Sequence, residues 1–125
     1  MGKLSRAEFW ERVKPVQGEI IYSIEQGSPS LITEVTGDVV KRAKPTGGKQ
    51  LTPAHREELY NTYCYVVDNG RVTGKDFGKI PGHRPFGLNG RFSIALLAHV
   101  IPEQIEAFKR VNPWIPRLSG IRLRS

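Results

Sequence analysis

Apolar residues keep a helical spacing at the start of the chain, where Phe9, Trp10 and Val13 form one stripe. Ser5, with Glu8 three residues on, reads as a capping box, so a helix is predicted from about Ser5 to Lys14, stopped by Pro15. The period then changes to two. Ile20, Tyr22 and Ile24 alternate with Ile21, Ser23 and Glu25, which predicts a strand over 19–26. Gly27-Ser28-Pro29 turns the chain into a second strand over 31–35, and Thr36-Gly37-Asp38 turns it into a third over 39–42. The expectation is a three-stranded antiparallel meander, followed by a flexible basic loop over 45–49.

Helical signals dominate the second half. Thr52-Pro53 suits a helix start and Asn69-Gly70 a stop, with Leu59, Tyr63, Val66 and Val67 on the buried face between them. Thr73 and Asp76 predict another short capped helix, and the Gly- and Pro-rich stretch 80–90 predicts a loop. Residues 91–101 are apolar nearly all round, as expected of a central buried helix. Pro102 breaks it and begins a short amphipathic helix with Ile105, Phe108 and Val111 on one side. From Asn112 onward, two prolines, Trp114 and three arginines predict an irregular or docked tail. The fold class read from this pattern is α+β: an N-terminal helix, a three-stranded meander, then three to four clustered helices in a winged-helix-like layout. Residues 1–111 form one domain and 112–125 a basic tail.

Composition narrows the function classes. The chain has 125 residues, a net charge of +7 and a pI near 9.9. One cysteine, Cys64, excludes an internal disulfide, no Cys/His spacing resembles a zinc site, and no apolar run is long enough to span a membrane. A cytoplasmic protein with no metal or other cofactor is expected. The charge is also segregated. Residues 19–40 carry Glu19, Glu25, Glu34 and Asp38 and no cation, whereas 71–101 hold five cations against Asp76 alone and 107–125 hold five cations and no acid. Clustered cations on a chain of this pI point to a polyanionic partner, nucleic acid first.

The strongest candidate site is one patch of Arg71, Lys75, Lys79, Arg84 and Arg91, with Arg117, Arg122 and Arg124 as a tail adding contacts. Lys41, Arg42, Lys44 and Lys49 are secondary. Gly87-Leu88-Asn89-Gly90-Arg91 lies at a predicted helix start, where backbone amides can hold phosphate oxygens, although it is neither a P-loop nor a dinucleotide fingerprint. His83, Asn89 and His99 follow the letter order of the His-Asn-His nucleases without an acidic ligand or the needed spacing, and His99 is expected to be a core histidine. Cys64 reads as a small core residue, and Ser93 has no base nearby. Among Tyr60, Tyr63 and Tyr65, only Tyr65 falls where an exposed ring would stack on a base. The acids of 19–40 read as solvent-facing alternates of the meander, or as groups that neutralise the basic loop. No catalytic set emerges.

One resemblance adds to this. Gly18-Glu19-Ile20-Ile21-Tyr22-Ser23-Ile24, Gly70-Arg71-Val72-Thr73 with Asp76-Phe77, and Ser93-Ile94-Ala95-Leu96-Leu97-Ala98 ahead of Pro102 carry it. Over about residues 18–102 the chain resembles the N-terminal accessory DNA-binding domain of some modification-dependent restriction endonucleases and related defence proteins. The resemblance implies a head-like, winged-helix-like module that contacts DNA without catalysis of its own. This chain departs from the pattern in its 44–50 and 81–90 loops and in having no downstream nuclease domain, so it is expected to bind nucleic acid itself or recruit a partner. DNA rather than RNA is the expected ligand. The alternative is a small protein-interaction module, an inhibitor or assembly factor of a defence or mobile-element system, whose basic patch meets an acidic protein.

Overall fold

A computed structural model of the chain describes residues 2–24, 26–82, 89–109 and 119–124. Helix α1 (Arg6–Val13) starts as its sequence dictates. The Glu8 amide donates to Ser5 Oγ at 3.2 Å, and the Ser5 amide donates to the Glu8 carboxylate at 3.0 Å. That backbone hydrogen bond, with the Ser5 hydroxyl behind it, holds the Glu8 carboxyl below its ordinary pKa. Pro15 ends the helix in a single 3-10 turn over Lys14–Val16. Phe9, Trp10 and Val13 are buried as expected. The Phe9 ring stacks on Tyr63 at 5.5 Å and meets Tyr60 edge-on at 5.4 Å.

The meander forms and gains a strand. Strands β1 (Ile20–Tyr22), β2 (Pro29–Val35), β3 (Val39–Ala43) and β4 (Ala54–His55) make an antiparallel sheet in the order β1-β2-β3-β4. Thr52-Pro53 therefore does not start the next helix. Ala54 and His55 first pair with Val40 and Val39, which satisfies the otherwise open edge of β3. Helix α2 (Arg56–Asn69) begins after them, with the His55 amide donating to the Glu58 carboxylate at 2.7 Å. Its end agrees with the sequence. Gly70 takes φ +88°, a left-handed value that glycine adopts without strain, and its amide bonds to the Val66 carbonyl at 2.7 Å.

A second antiparallel sheet takes the place of part of the expected helical cluster, while α2 and the buried helix over 90–100 form. Strands β5 (Arg71–Thr73), β6 (Ile105–Phe108) and β7 (Gly120–Leu123) lie in the order β5-β7-β6. The predicted amphipathic helix after Pro102 is thus a strand over its described part: the four residues Ile105–Phe108 gain more from pairing with β7 than from one turn of helix. The residues from Asn112 do not all form a tail either, because β7 is the middle strand. Val111 and Trp114 lie outside the described residues. Thr73 and Asp76 make one half of the expected capping box, Thr73 N–H to Asp76 Oδ2 at 2.8 Å, while the Asp76 amide donates to the Thr73 carbonyl instead of its hydroxyl, and only a 3-10 turn over Phe77–Lys79 follows. Gly74 and Gly78 weaken any helix there, and Pro81 leaves it no room. The fold is α+β, but three clustered helices after a wing are not built.

Helix α3 (Gly90–Val100) explains its own sequence. It packs on β1 of the first sheet, on β6 and β7 of the second, and on α2. Phe92 through Leu97 are all buried. His99 is the exception to the expectation of a core histidine. It stands exposed on the side facing β1, with Nε2 3.2 Å from the Glu19 carboxylate.

Candidate phosphate-binding surface and cleft

The cations fall into two populations once their partners are known. Arg6 pairs with Glu57, Arg12 with Glu103 at 2.7 Å, Lys14 with Glu11 at 2.8 Å, and Lys41 with Glu34 at 3.2 Å. Lys41 and Glu34 are direct cross-strand neighbours, so one acid of the 19–40 stretch does neutralise a neighbouring cation. Arg122 and Arg124 both bond Glu106, at 2.9 and 3.2 Å. These two arginines had been expected on an auxiliary arm. They instead lie at the middle strand of a sheet and share one carboxylate.

Arg71, Lys75 and Lys79 differ. All three are exposed, and none has an acidic partner among the described residues. Arg71 opens β5 opposite Arg122, Lys75 sits in the turn after β5, and Lys79 closes the 3-10 turn. Lys44 and Lys49 face solvent at the two ends of a loop closed by Lys44 N–H to Lys49 O at 2.8 Å, also without an acidic partner among the described residues. Arg84, Arg117 and His83, with Gly87 and Leu88 of the Gly87–Arg91 segment, lie outside the described residues. Arg91 projects from the first turn of α3 toward the β1–β2 turn, 3.4 Å from Gln26 Oε1.

Arg42 departs most from its sequence reading. Rather than joining a surface patch, it is half-buried on the inner side of β3, two residues from buried Val40. Its guanidinium lies over the Phe92 ring at 4.5 Å and donates to Asn89 Oδ1 at 2.9 Å, Ser30 Oγ at 3.1 Å and the Thr52 carbonyl at 3.2 Å. Asn89 is buried and in turn donates to Glu58 at 2.8 Å and to the Pro53 carbonyl at 3.0 Å. Asn89 therefore bridges a buried carboxylate and a half-buried guanidinium. Burial lowers the Arg42 pKa and Glu58 opposes that shift, leaving the group charged at any accessible pH.

Arg42 and Arg91 open onto one cleft of about 200 Å³. Its polar wall is Ser23, Gln26, Ser28 and Ser30, and its floor is Ile21, Phe92 and Ala95. Serines either side of a turn carry little signal in sequence. The inward parity of Arg42 with Val40 is the one clue available before the structure. Tyr65 is half-buried, its hydroxyl 3.4 Å from Asp76 Oδ1, because β5 and the turn after it close over that side of α2. Among the described residues the exposed large aromatic is Tyr22, 60% accessible on β1. Ser93 is buried and donates to the Asn89 carbonyl at 2.7 Å. Among the described residues no cluster of three or more His, Cys, Asp or Glu side chains could hold a metal ion, and no helix is long and apolar enough to cross a membrane. In comparisons with protein families, curated proteins and solved structures, nothing matches this chain.

Proposed function

We propose that this chain is a non-enzymatic nucleic-acid-binding protein that grips the phosphate backbone, of DNA before RNA, through exposed lysines and arginines. The observation that carries the reading is the sorting of its cations. The acids are engaged near both ends of the chain, while Arg71, Lys75 and Lys79 keep their charge uncompensated and accessible among the described residues. Cations left unpaired on a compact basic protein repel one another, and a polyanion relieves that repulsion. Lys44 and Lys49 add a second, separate point of attachment. The resemblance to accessory domains of modification-dependent restriction endonucleases supports DNA as the partner.

The test is fluorescence anisotropy on duplex DNA across a salt series. Contact with about six phosphates predicts a slope of log K against log salt near −5, and removing Arg71, Lys75 and Lys79 together flattens it by about three. Affinity that does not respond to salt would sink the reading.

One observation favours the interaction-module alternative. Strand β1 is an edge strand, and it exposes Ile20 (39%) and Tyr22 (60%), as a strand open to pairing with another chain does. A protein that co-elutes at high salt and is lost on Tyr22→Lys would support this second reading over the first.

A further inference from the structure

We propose that the cleft between the β1–β2 turn and the first turn of α3 binds a phosphate monoester, held by Arg42 and Arg91 and by the hydroxyls of Ser23, Ser28 and Ser30. The argument starts from Arg42. A half-buried guanidinium is normally matched by a carboxylate, because its desolvation is otherwise uncompensated. Among the described residues, the groups within hydrogen-bonding distance are neutral oxygens of Ser30, Thr52 and Asn89. Glu58 adds its charge from farther off and shares Asn89 with Arg42 without bonding the guanidinium directly. Three donor contacts fix the fork in place and leave part of its five-donor capacity for the cleft. Arg91 supplies a second charge to the same space, and none of the described lining residues is acidic.

The size and donor count select the ligand. At about 200 Å³ the cleft lies below the roughly 300–1,000 Å³ of sites that enclose a drug-sized molecule, so it suits a small anionic group. Two guanidinium groups and three hydroxyls exceed what the two oxygens of a carboxylate can use. A phosphate monoester offers three terminal oxygens and close to two charges. A diester inside a strand offers fewer of both and must leave the site on two sides. Asn89 is a positioning residue here: it orients Arg42 without facing the ligand, and Phe92 fixes the plane of the guanidinium. The phosphate has two sources, the terminal phosphate of a nucleic-acid strand or a free phosphate or small ester. The first source rests on the reading above; the cleft chemistry does not.

The experiment is a titration of the ¹⁵N-labelled full chain, followed by amide and arginine Nε resonances. The probes are inorganic phosphate and one oligonucleotide carrying either a 5′-phosphate or a 5′-hydroxyl. Phosphate is expected to move Ser23, Ser30, Arg91 and Phe92. Arg91→Ala, exposed and therefore safe for folding, should weaken that binding about tenfold or more. A tenfold preference for the 5′-phosphorylated oligonucleotide identifies the strand end as source. Saturable phosphate binding with no such preference identifies a free phosphate or small ester. Cleft resonances unmoved by every probe, or moved equally in Arg91→Ala, overturn the proposal. Salt-dependent oligonucleotide binding in that case would leave the backbone-binding reading standing, so the two failures are distinguishable.

Discussion

Arg71, Lys75 and Lys79, a strip along the sequence, and the cleft of Arg42 and Arg91 are both basic, yet they are built in opposite ways. In the strip, charge sits on exposed side chains with no described acid, and nothing fixes their geometry. In the cleft, one guanidinium is pinned by three neutral oxygens and an aromatic ring, and its charge is half withdrawn from water. The first arrangement provides salt-sensitive, orientation-tolerant attraction. The second provides geometric selectivity for one anion at the expense of stability. Net charge does not distinguish the two, whereas hydrogen-bond partners do.

Asn89→Ala attacks the comparison at its base. It removes the bridge between Glu58 and Arg42 and takes one hydrogen bond from each, as well as from the Pro53 carbonyl, with an expected loss of about 2–3 kcal/mol in urea denaturation. A loss below about half a kcal/mol, within the usual range for surface substitutions, would mean that the cleft is held no more firmly than the strip. The double variant Lys75→Ala/Lys79→Ala should instead leave the unfolding midpoint unchanged and flatten the salt slope of DNA binding by about two.

Arg122→Ala/Arg124→Ala serves as the counterpart. Glu106 already engages both guanidinium groups, so the slope should change by less than about one. If it flattens as much as the lysine pair does, the sorting of cations by partner has no functional content.

The smallest expected effect comes from acid. Hydrogen bonding to Arg6 holds the Glu57 carboxyl below its ordinary range, and the Ser5 contacts do the same for Glu8. The folded state then binds fewer protons than the unfolded state as pH passes through the carboxylate range. This stability is present above the ordinary value of about 4.3 and is lost as pH falls through the lower folded values. Protonating Glu57 also frees Arg6, which converts a quenched cation into an available one. A slight fall in unfolding midpoint below about pH 4 should diminish in Glu57→Gln.

What the sequence disclosed follows from the range of each interaction. Ser5 and Glu8 are three residues apart, Gly70 ends its own helix, and the apolar run 91–101 reports its own burial, so each was readable locally. Strand β6 was not. Ile105 and Phe108 fit a helical spacing over a segment too short to decide, and its partner Leu123 lies far along the chain. Arg42 was missed as a cleft residue for a related reason. Its inward direction depends on the register of β3, and its partners come from β2, the segment before β4, and the start of α3. The charge blocks were visible, but which block remained unquenched depended on pairings such as Arg122 with Glu106 that only the fold creates.

The place of β7 bears on how the molecule is made. Gly120 sits so close to its neighbour that a Cβ there would fall 2.0 Å from the Val72 carbonyl oxygen, so β7 enters as a thin wedge between β5 and β6. During synthesis the first sheet and α2 emerge with their pairings available at once. The sheet of β5 and β6 closes only when β7 pairs with both, so its pairings are among the last to become available as the chain is made.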